Sequence, residues 1–281
     1  MNLKSSNLRH DTIPVYLDCR HFDGSGIGTY ISNLISNFDQ YDLDYHIEIL
    51  ARDEHIPKIK NLCHFKIITY NDPIYSVREQ FKWVTKINPF GLLHIPLYNA
   101  PLFYPGKLIT TVHDVCHVAM KSFFPGTLKR IYSGQFLRMV LKKSDFVITV
   151  SNFSKSEIKR YFNIPEEKIR VIYNGVNPIF RPIEEEQRNA AIKKYNLPSE
   201  FLLYIGNVKH HKNIVGLVES YIMALKQNPD LPALVISGQY NQLITLAPNL
   251  RKLLASKEIE SRIIFTGYLQ PLIFRQSTVR L

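Results

Sequence analysis

The sequence predicts an α/β protein built from two doubly wound, mainly parallel units, and three observations carry that reading. Strand-length apolar runs alternate with helix-period segments through most of the 281 residues. Glycine-containing turns stand where a strand gives way to a helix. The alternation breaks once, at Asn174-Gly175-Val176-Asn177-Pro178, and restarts beyond Arg181. Strands separated by helices of this length favour a parallel sheet covered on both faces.

Taken in order, Pro14 to Cys19 is a short apolar strand, after which Ile27, Tyr30, Ile31, Leu34, Ile35 and Phe38 recur at helical spacing. Further strands are expected at Tyr45 to Leu50, Cys63 to Tyr70, Leu92 to Leu97, Leu108 to His113, Phe146 to Val150 and Ile169 to Tyr173. Helices fit between them at Ile74 to Ile87, Thr127 to Lys143 and Ser154 to Phe162. The turn formers from Asn174, with Arg181-Pro182 and the acidic helix start Glu184 to Glu186, mark an interdomain crossing. The expected domains are therefore residues 1–178 and 179–281. In the second, strands at Phe201 to Gly206, Ala233 to Ser237 and Ile263 to Gly267 enclose helices at Asn213 to Gln227 and Leu246 to Ser256. A nucleotide-binding lobe of this design normally needs more strands, and Gln270 to Leu281 shows no helix periodicity, so this domain is expected to be incomplete.

Composition narrows the function classes. With 45% apolar and 21% charged residues the chain is ordinary for a soluble globular protein, and no apolar run is long enough to cross a bilayer. Residues 1–13 lack the apolar stretch of an export signal, so a cytoplasmic location is expected. Cys19, Cys63 and Cys116 lie far apart in apolar, strand-like contexts, which suits buried reduced thiols better than a disulfide or zinc framework. No metal is expected. The formal charge of +11 calls for an anionic partner. Nucleic acid is not the expected one, because the basic residues are scattered and no nucleic-acid-binding signature accompanies them. From Pro125 to Lys143, Leu128, Ile131, Tyr132, Phe136, Met139 and Val140 recur at helical spacing beside Lys129, Arg130, Arg138, Lys142 and Lys143. That pattern fits a core helix with a solvated basic face, or a basic amphipathic helix resting on an anionic membrane.

Three motifs bear on chemistry. Asp23-Gly24-Ser25-Gly26-Ile27-Gly28-Thr29-Tyr30 lies between the first strand and helix. Gly26 and Gly28 let backbone N–H groups approach a phosphate at a helix N-terminus, although a tight turn needing small residues explains them equally well. The spacing is not the dinucleotide fingerprint, and Glu48, the nearest acidic candidate downstream, sits inside a strand. His113-Asp114 ends a strand, where open α/β sheets bind ligands. An imidazole there can hydrogen-bond a sugar hydroxyl or exchange a proton, while an Asp in that position also serves as a turn cap. Gly206-Asn207-Val208-Lys209-His210-His211-Lys212-Asn213 follows the first strand of the second domain. A lysine in such a turn reaches a diphosphate as a point charge, or is simply a solvated basic residue.

In this order, these elements resemble glycosyltransferase family 4, retaining enzymes of the GT-B fold with two facing Rossmann-like domains, and in particular its bacterial mannosyltransferases. Gly26-Ile27-Gly28-Thr29-Tyr30 is similar to the family's first glycine loop, with Thr29 where many members have arginine. Thr111-Val112-His113-Asp114 is similar to its strand-ending His-Asp, and Val150-Ser151-Asn152-Phe153-Ser154 to a helix start. Val171 to Asn177 resembles the crossing between domains, and Leu203 to Asn213 the donor-phosphate loop, with His211 where arginine is usual. Ile264 to Leu269 resembles the strand before a donor-binding segment carrying two glutamates, which is absent here.

The resemblance implies a hexosyltransferase, with mannose a candidate sugar, using a nucleotide-diphosphate sugar as donor and no separate cofactor. The acceptor would be a saccharide or a lipid-linked saccharide, in surface polysaccharide or lipopolysaccharide assembly at the inner face of the cytoplasmic membrane. In that scheme Gly26, Gly28, Lys212 and Lys209 meet the donor phosphates, His113 contacts the sugar and Asp114 orients its loop. The alternative from a different class is a catalytically inactive fragment that binds nucleotide or acceptor weakly, or only with a partner. A nicotinamide-dependent enzyme is disfavoured by the glycine spacing and by the lysine loop.

Overall fold

A buried strand shows in its sequence as a nearly continuous apolar run, and the first such run, Val-Tyr-Leu-Asp, forms an interior strand, third in order, of a seven-stranded parallel sheet. The computed structural model describes residues 13–23, 25–41, 45–120, 127–178, 180–182, 184–237, 241, 245, 254–255 and 257–267. The expected helix at Leu246 to Ser256 and the segment Gln270 to Leu281 lie largely or wholly outside them. Two compact units are separated between Gly175 and Val176.

In the first unit the strands are β1 (Val15–Asp18), β2 (Ile47–Ala51), β3 (Lys66–Thr69), β4 (Leu92–Ile95), β5 (Lys107–Thr111), β6 (Phe146–Thr149) and β7 (Ile169–Val171). They run in the order β3-β2-β1-β4-β5-β6-β7, all pairs parallel. The chain first winds outward from β1 to one edge, then returns to β4 beside β1 and winds to the other. That reversal falls between β1 and β4, whose carboxyl ends are the usual ligand position in such sheets.

The helices are α1 (Ser25–Phe38), α2 (Ile56–Lys60), α3 (Val77–Lys82), α4 (Cys116–Ala119), α5 (Thr127–Lys143) and α6 (Asn152–Phe162). Successive strand residues point to opposite faces, so Leu17 packs with Ile31, Ile35 and Ile49, whereas Tyr16 packs with Trp83, Leu93 and Leu108 on the other face. Both faces are covered, which is what a parallel sheet requires.

Three readings are corrected. The helix expected from Ile74 starts at Val77, because the Ser76 side chain accepts the Glu79 N–H and caps it there; beyond Lys82 it tightens to a 3-10 turn. Cys116 is not strand-like but opens the short helix α4, half-buried, whereas Cys19 and Cys63 are buried free thiols. In α5 the buried stripe is Leu137, Val140 and Leu141, which leaves Ile131, Tyr132 and Met139 exposed. The periodicity there mixed two faces, since an apolar residue alone does not say which way it points.

The second unit holds α7 (Glu185–Lys194), β8 (Phe201–Ile205), α8 (Ile214–Gln227), β9 (Ala233–Ser237) and β10 (Ile263–Phe265). Its strands form a parallel sheet in the order β10-β9-β8. Val218 and Ile222 of α8 pack on Leu234 and Ile236 of β9.

The first unit also contains a charged cluster that neither periodicity nor motif indicates. Arg20, just beyond β1, has a fully buried side chain that meets Asp18 Oδ2 at 2.8 Å and Glu79 Oε1 at 2.5 Å. Its guanidinium lies 4.3 Å from the centre of the Tyr70 ring and 4.7 Å from that of Trp83. Burial works against the charge, but the two carboxylates hold the guanidinium protonated above its ordinary range. Removing one partner of a buried pair costs about 3–5 kcal/mol. Arg20→Met is therefore expected to lower unfolding stability by about that amount in urea titration; a loss near zero would show the cluster to be dispensable.

Candidate active site

Four of the six expected site residues lie in the first unit, at the carboxyl edge of its sheet. The β1–α1 turn brings Gly26 and Gly28 there, and the two have different physical reasons. A Cβ on Gly28 would fall 2.0 Å from the Phe22 carbonyl oxygen, so α1 can approach the preceding turn only through glycine. Gly26 is exposed, and a Cβ there would meet nothing within 4 Å. The Gly28 requirement is packing. The open face belongs to Gly26, in the first turn of a 14-residue helix, where unsatisfied N–H groups favour an anion.

His113 follows β5 and is fixed from three sides. The Ser154 hydroxyl, in the first turn of α6, donates to the His113 carbonyl at 2.9 Å, and α6 is itself capped by Ser151, which accepts the Ser154 N–H. The Tyr30 ring meets the imidazole edge-on at 4.9 Å between centroids. His113 Nε2 lies 3.2 Å from the Pro96 carbonyl oxygen. A carbonyl only accepts, so Nε2 carries the proton and the neutral ring keeps Nδ1 as an acceptor with no hydrogen-bond partner among the described residues. Burial holds His113 below the usual imidazole value, against the opposing pull of the Pro96 carbonyl and Asp114. The ring is therefore neutral at pH 7 and suited to receive a hydroxyl proton in a hydrogen bond.

Asp114 is exposed and accepts the Cys116 N–H at Oδ1, 3.0 Å, a side-chain turn that leads into α4, whose N-cap is Val115. Desolvation raises its carboxyl, but the Cys116 hydrogen bonds and the neighbouring histidines outweigh that and leave it below the usual range.

Beneath His113 lies a polar layer that sequence reading missed. Buried His94 of β4 contacts Thr111 Oγ1 at 2.8 Å, and Tyr30 of α1 lies against His113 itself. Burial pulls His94 down to about 4. These residues were read as strand and helix fillers because only sheet order places them under His113. A His in a buried strand position was the one available signal.

Lys209 and Lys212 lie in the second unit, in the loop after β8. Val208 and Ile214 are buried on either side of the loop, and a 3-10 turn, His210–Lys212, leaves both lysines exposed. The Lys212 N–H bonds the Lys209 carbonyl at 2.9 Å. Asn213 takes a left-handed conformation, φ 50°, to enter α8. Among the described residues no group of three or more His, Cys, Asp or Glu side chains could hold a metal ion, and no helix is long and apolar enough to cross a membrane.

Residues 24–179 match the family model for Glycosyltransferase Family 4. The O-antigen chain mannosyltransferase B of Escherichia coli is 31% identical over 202 residues, covering 66% of this chain and 52% of that protein. The O-antigen chain mannosyltransferase RfbU of Salmonella typhimurium is 28% identical over 161 residues, covering 55% of this chain and 38% of that protein. This chain thus spans about half the length, or less, of these two relatives. Anabaena Alr3699/HepE, solved in complex with UDP and glucose, matches with a TM-score of 0.67 at 14% identity, over 93% of this chain and 71% of that one. At that identity the match speaks for the fold.

Two outcomes test the site's construction. Gly28→Ala should destabilise the chain by about 1–3 kcal/mol, while Gly26→Ala leaves thermal unfolding unchanged; equal effects would refute the division of roles. For His94, the folded pKa of about 4 lies below the ordinary 6.5, so the folded state binds fewer protons than the unfolded one between those values. Stability present above pH 6.5 is then lost as pH falls toward 4, about 2 kcal/mol of it between pH 7 and pH 5. His94→Gln should flatten that part of the urea-unfolding profile.

Proposed function

The chain belongs to glycosyltransferase family 4, and on that premise we propose that it serves to transfer a hexose, mannose foremost, from a nucleotide-diphosphate sugar to a saccharide or lipid-linked saccharide acceptor with retention of configuration. The observation that carries this reading is His113. It is a neutral imidazole with an acceptor Nδ1 at the carboxyl end of β5, one strand from the sheet's switch point, inside the family-matched region.

In this scheme His113 Nδ1 accepts a hydroxyl of the donor sugar and so fixes the sugar's orientation. As the bond from the anomeric carbon to the diphosphate breaks, negative charge grows on the departing phosphate. The ammonium groups of Lys212 and Lys209 are assigned to supply fixed positive potential for it, and within the first unit the exposed backbone of Gly26 is an anion-favouring position of its own. Gly28 acts at one remove, by letting α1 sit where its N-terminus is useful. Asp114 orients the His113 loop through its bond to the Cys116 N–H. The sugar itself is inferred from the names of the two O-antigen mannosyltransferases, which also favour a role in O-antigen or other surface polysaccharide assembly. Contact with an anionic membrane at its cytoplasmic face is supported by the charge of +11 and by exposed Ile131, Tyr132 and Met139 on α5.

Transfer assays with GDP-mannose, UDP-glucose and UDP-galactose as donors test the roles. His113→Ala and Lys212→Ala are each expected to lower turnover by about 100-fold or more. Normal turnover in both variants would overturn the assignment, and an inverted anomer in the product would refute retention.

A further inference from the structure

Beside His113, along the carboxyl edge of the same sheet, three rings stand in a row that the scheme above does not use. Tyr75 follows β3, Tyr98 follows β4, and His117 lies on α4 after β5. Tyr98 and His117 are stacked, with centroids 5.0 Å apart and planes 20° apart. The Tyr75 and Tyr98 ring centroids are 6.2 Å apart, with the planes tilted at 52°.

Tyr75 is the unusual member. It is 57% exposed, yet its φ of 72° lies in the left-handed region that a bulky aromatic residue rarely adopts. Such strain persists only where the surroundings over-determine it, and it collects at functional positions. Here the determinant is one buried atom. Glu79 Oε2 accepts the Tyr75 backbone N–H at 2.9 Å and the Asn99 side-chain amide, also at 2.9 Å, while Oε1 is held by Arg20. Asn99 adjoins Tyr98, so a single carboxylate fixes the spacing of both tyrosines. At the other end of the row, His117 Nε2 is buried without a hydrogen-bond partner among the described residues.

We propose that Tyr75, Tyr98 and His117 form a stacking shelf for a pyranose ring of a saccharide acceptor, and that Glu79 is its positioning residue. The chemistry is specific to that class. A pyranose presents a C–H face, which suits the negative face of an aromatic ring, and hydroxyls at its rim, which suit the tyrosine pair. The exposed Tyr75 ring, backed by the half-buried Tyr98 and His117, offers an aromatic face with polar groups at its rim and so serves a sugar better than an apolar chain, whose binding would leave those hydroxyls unsolvated. The acceptor role rests on the function proposed above; saccharide binding by the shelf does not.

Calorimetry on the full chain separates the two, with mannotriose, maltotriose and galactobiose as saccharide probes and GDP and UDP as nucleotide probes. At least one saccharide is expected to bind. Tyr75→Ala should weaken it tenfold or more and Tyr75→Phe less than threefold, with nucleotide affinity unchanged within twofold. His117→Ala provides a second variant should Tyr75→Ala unfold at lower temperature. Equal saccharide affinity in wild type, Tyr75→Ala and His117→Ala would overturn the shelf, as would the absence of binding by all three saccharides. Saccharide binding that is lost in Tyr75→Ala, in a chain that binds neither GDP nor UDP, would uphold the shelf and remove the nucleotide-sugar reading.

Discussion

The buried guanidinium of Arg20 is the interaction on which the first unit's ligand edge depends. It sits at the end of β1 and binds a carboxylate of that strand and a carboxylate of α3, under the faces of Tyr70 and Trp83. An ion cluster this far from water is costly to assemble and adds little net stability over an apolar replacement. What it supplies is position. Burial pushes Glu79 above the ordinary carboxylate range while Arg20 and Asn99 pull it back, and the same side chain reaches Tyr75 and Asn99. Through one cation, the ends of β1, β3 and β4 are held in register.

The sheet order explains why the candidate groups collect there. With β1 and β4 adjacent and the chain winding away on either side, the loops after β1 and β4 diverge at the usual ligand position of such sheets. The glycine turn follows β1, and Pro96, whose carbonyl fixes the His113 tautomer, follows β4. The loop after β5 carries His113 itself. Its orientation is set by Ser154, so the helix start that follows β6 also contributes to the site.

The net positive charge reads differently at the level of contacts. Lys58 pairs with Asp23, Lys66 with Glu48, Lys107 with Asp145, and Lys155 and Lys159 share Glu166. Apart from the Lys66 pair, whose Glu48 is buried, such exposed pairs are each worth about 0–1 kcal/mol and are local surface features. The lysines of the β8–α8 loop are a separate matter, since they are presented by a strand end and a helix start.

Sequence alone determined what local chemistry can encode. Strand β9 and helix α5 were read to the residue, and β1, β6, α6 and β8 to within one or two, because apolar period and capping residues are properties of neighbours in the chain. The glycine turn, the His113-Asp114 strand end and the lysine loop were legible for the same reason, being short motifs at strand ends. Tertiary structure alone decided the strand order, the burial of Arg20 and the stacking of Tyr75, Tyr98 and His117, which come from three different strand ends. It also decided which glycine is packing and which is open, and which nitrogen of His113 is the acceptor. Those outcomes depend on residues far apart in sequence sharing one volume, and no periodicity records which distant groups a folded sheet will set side by side.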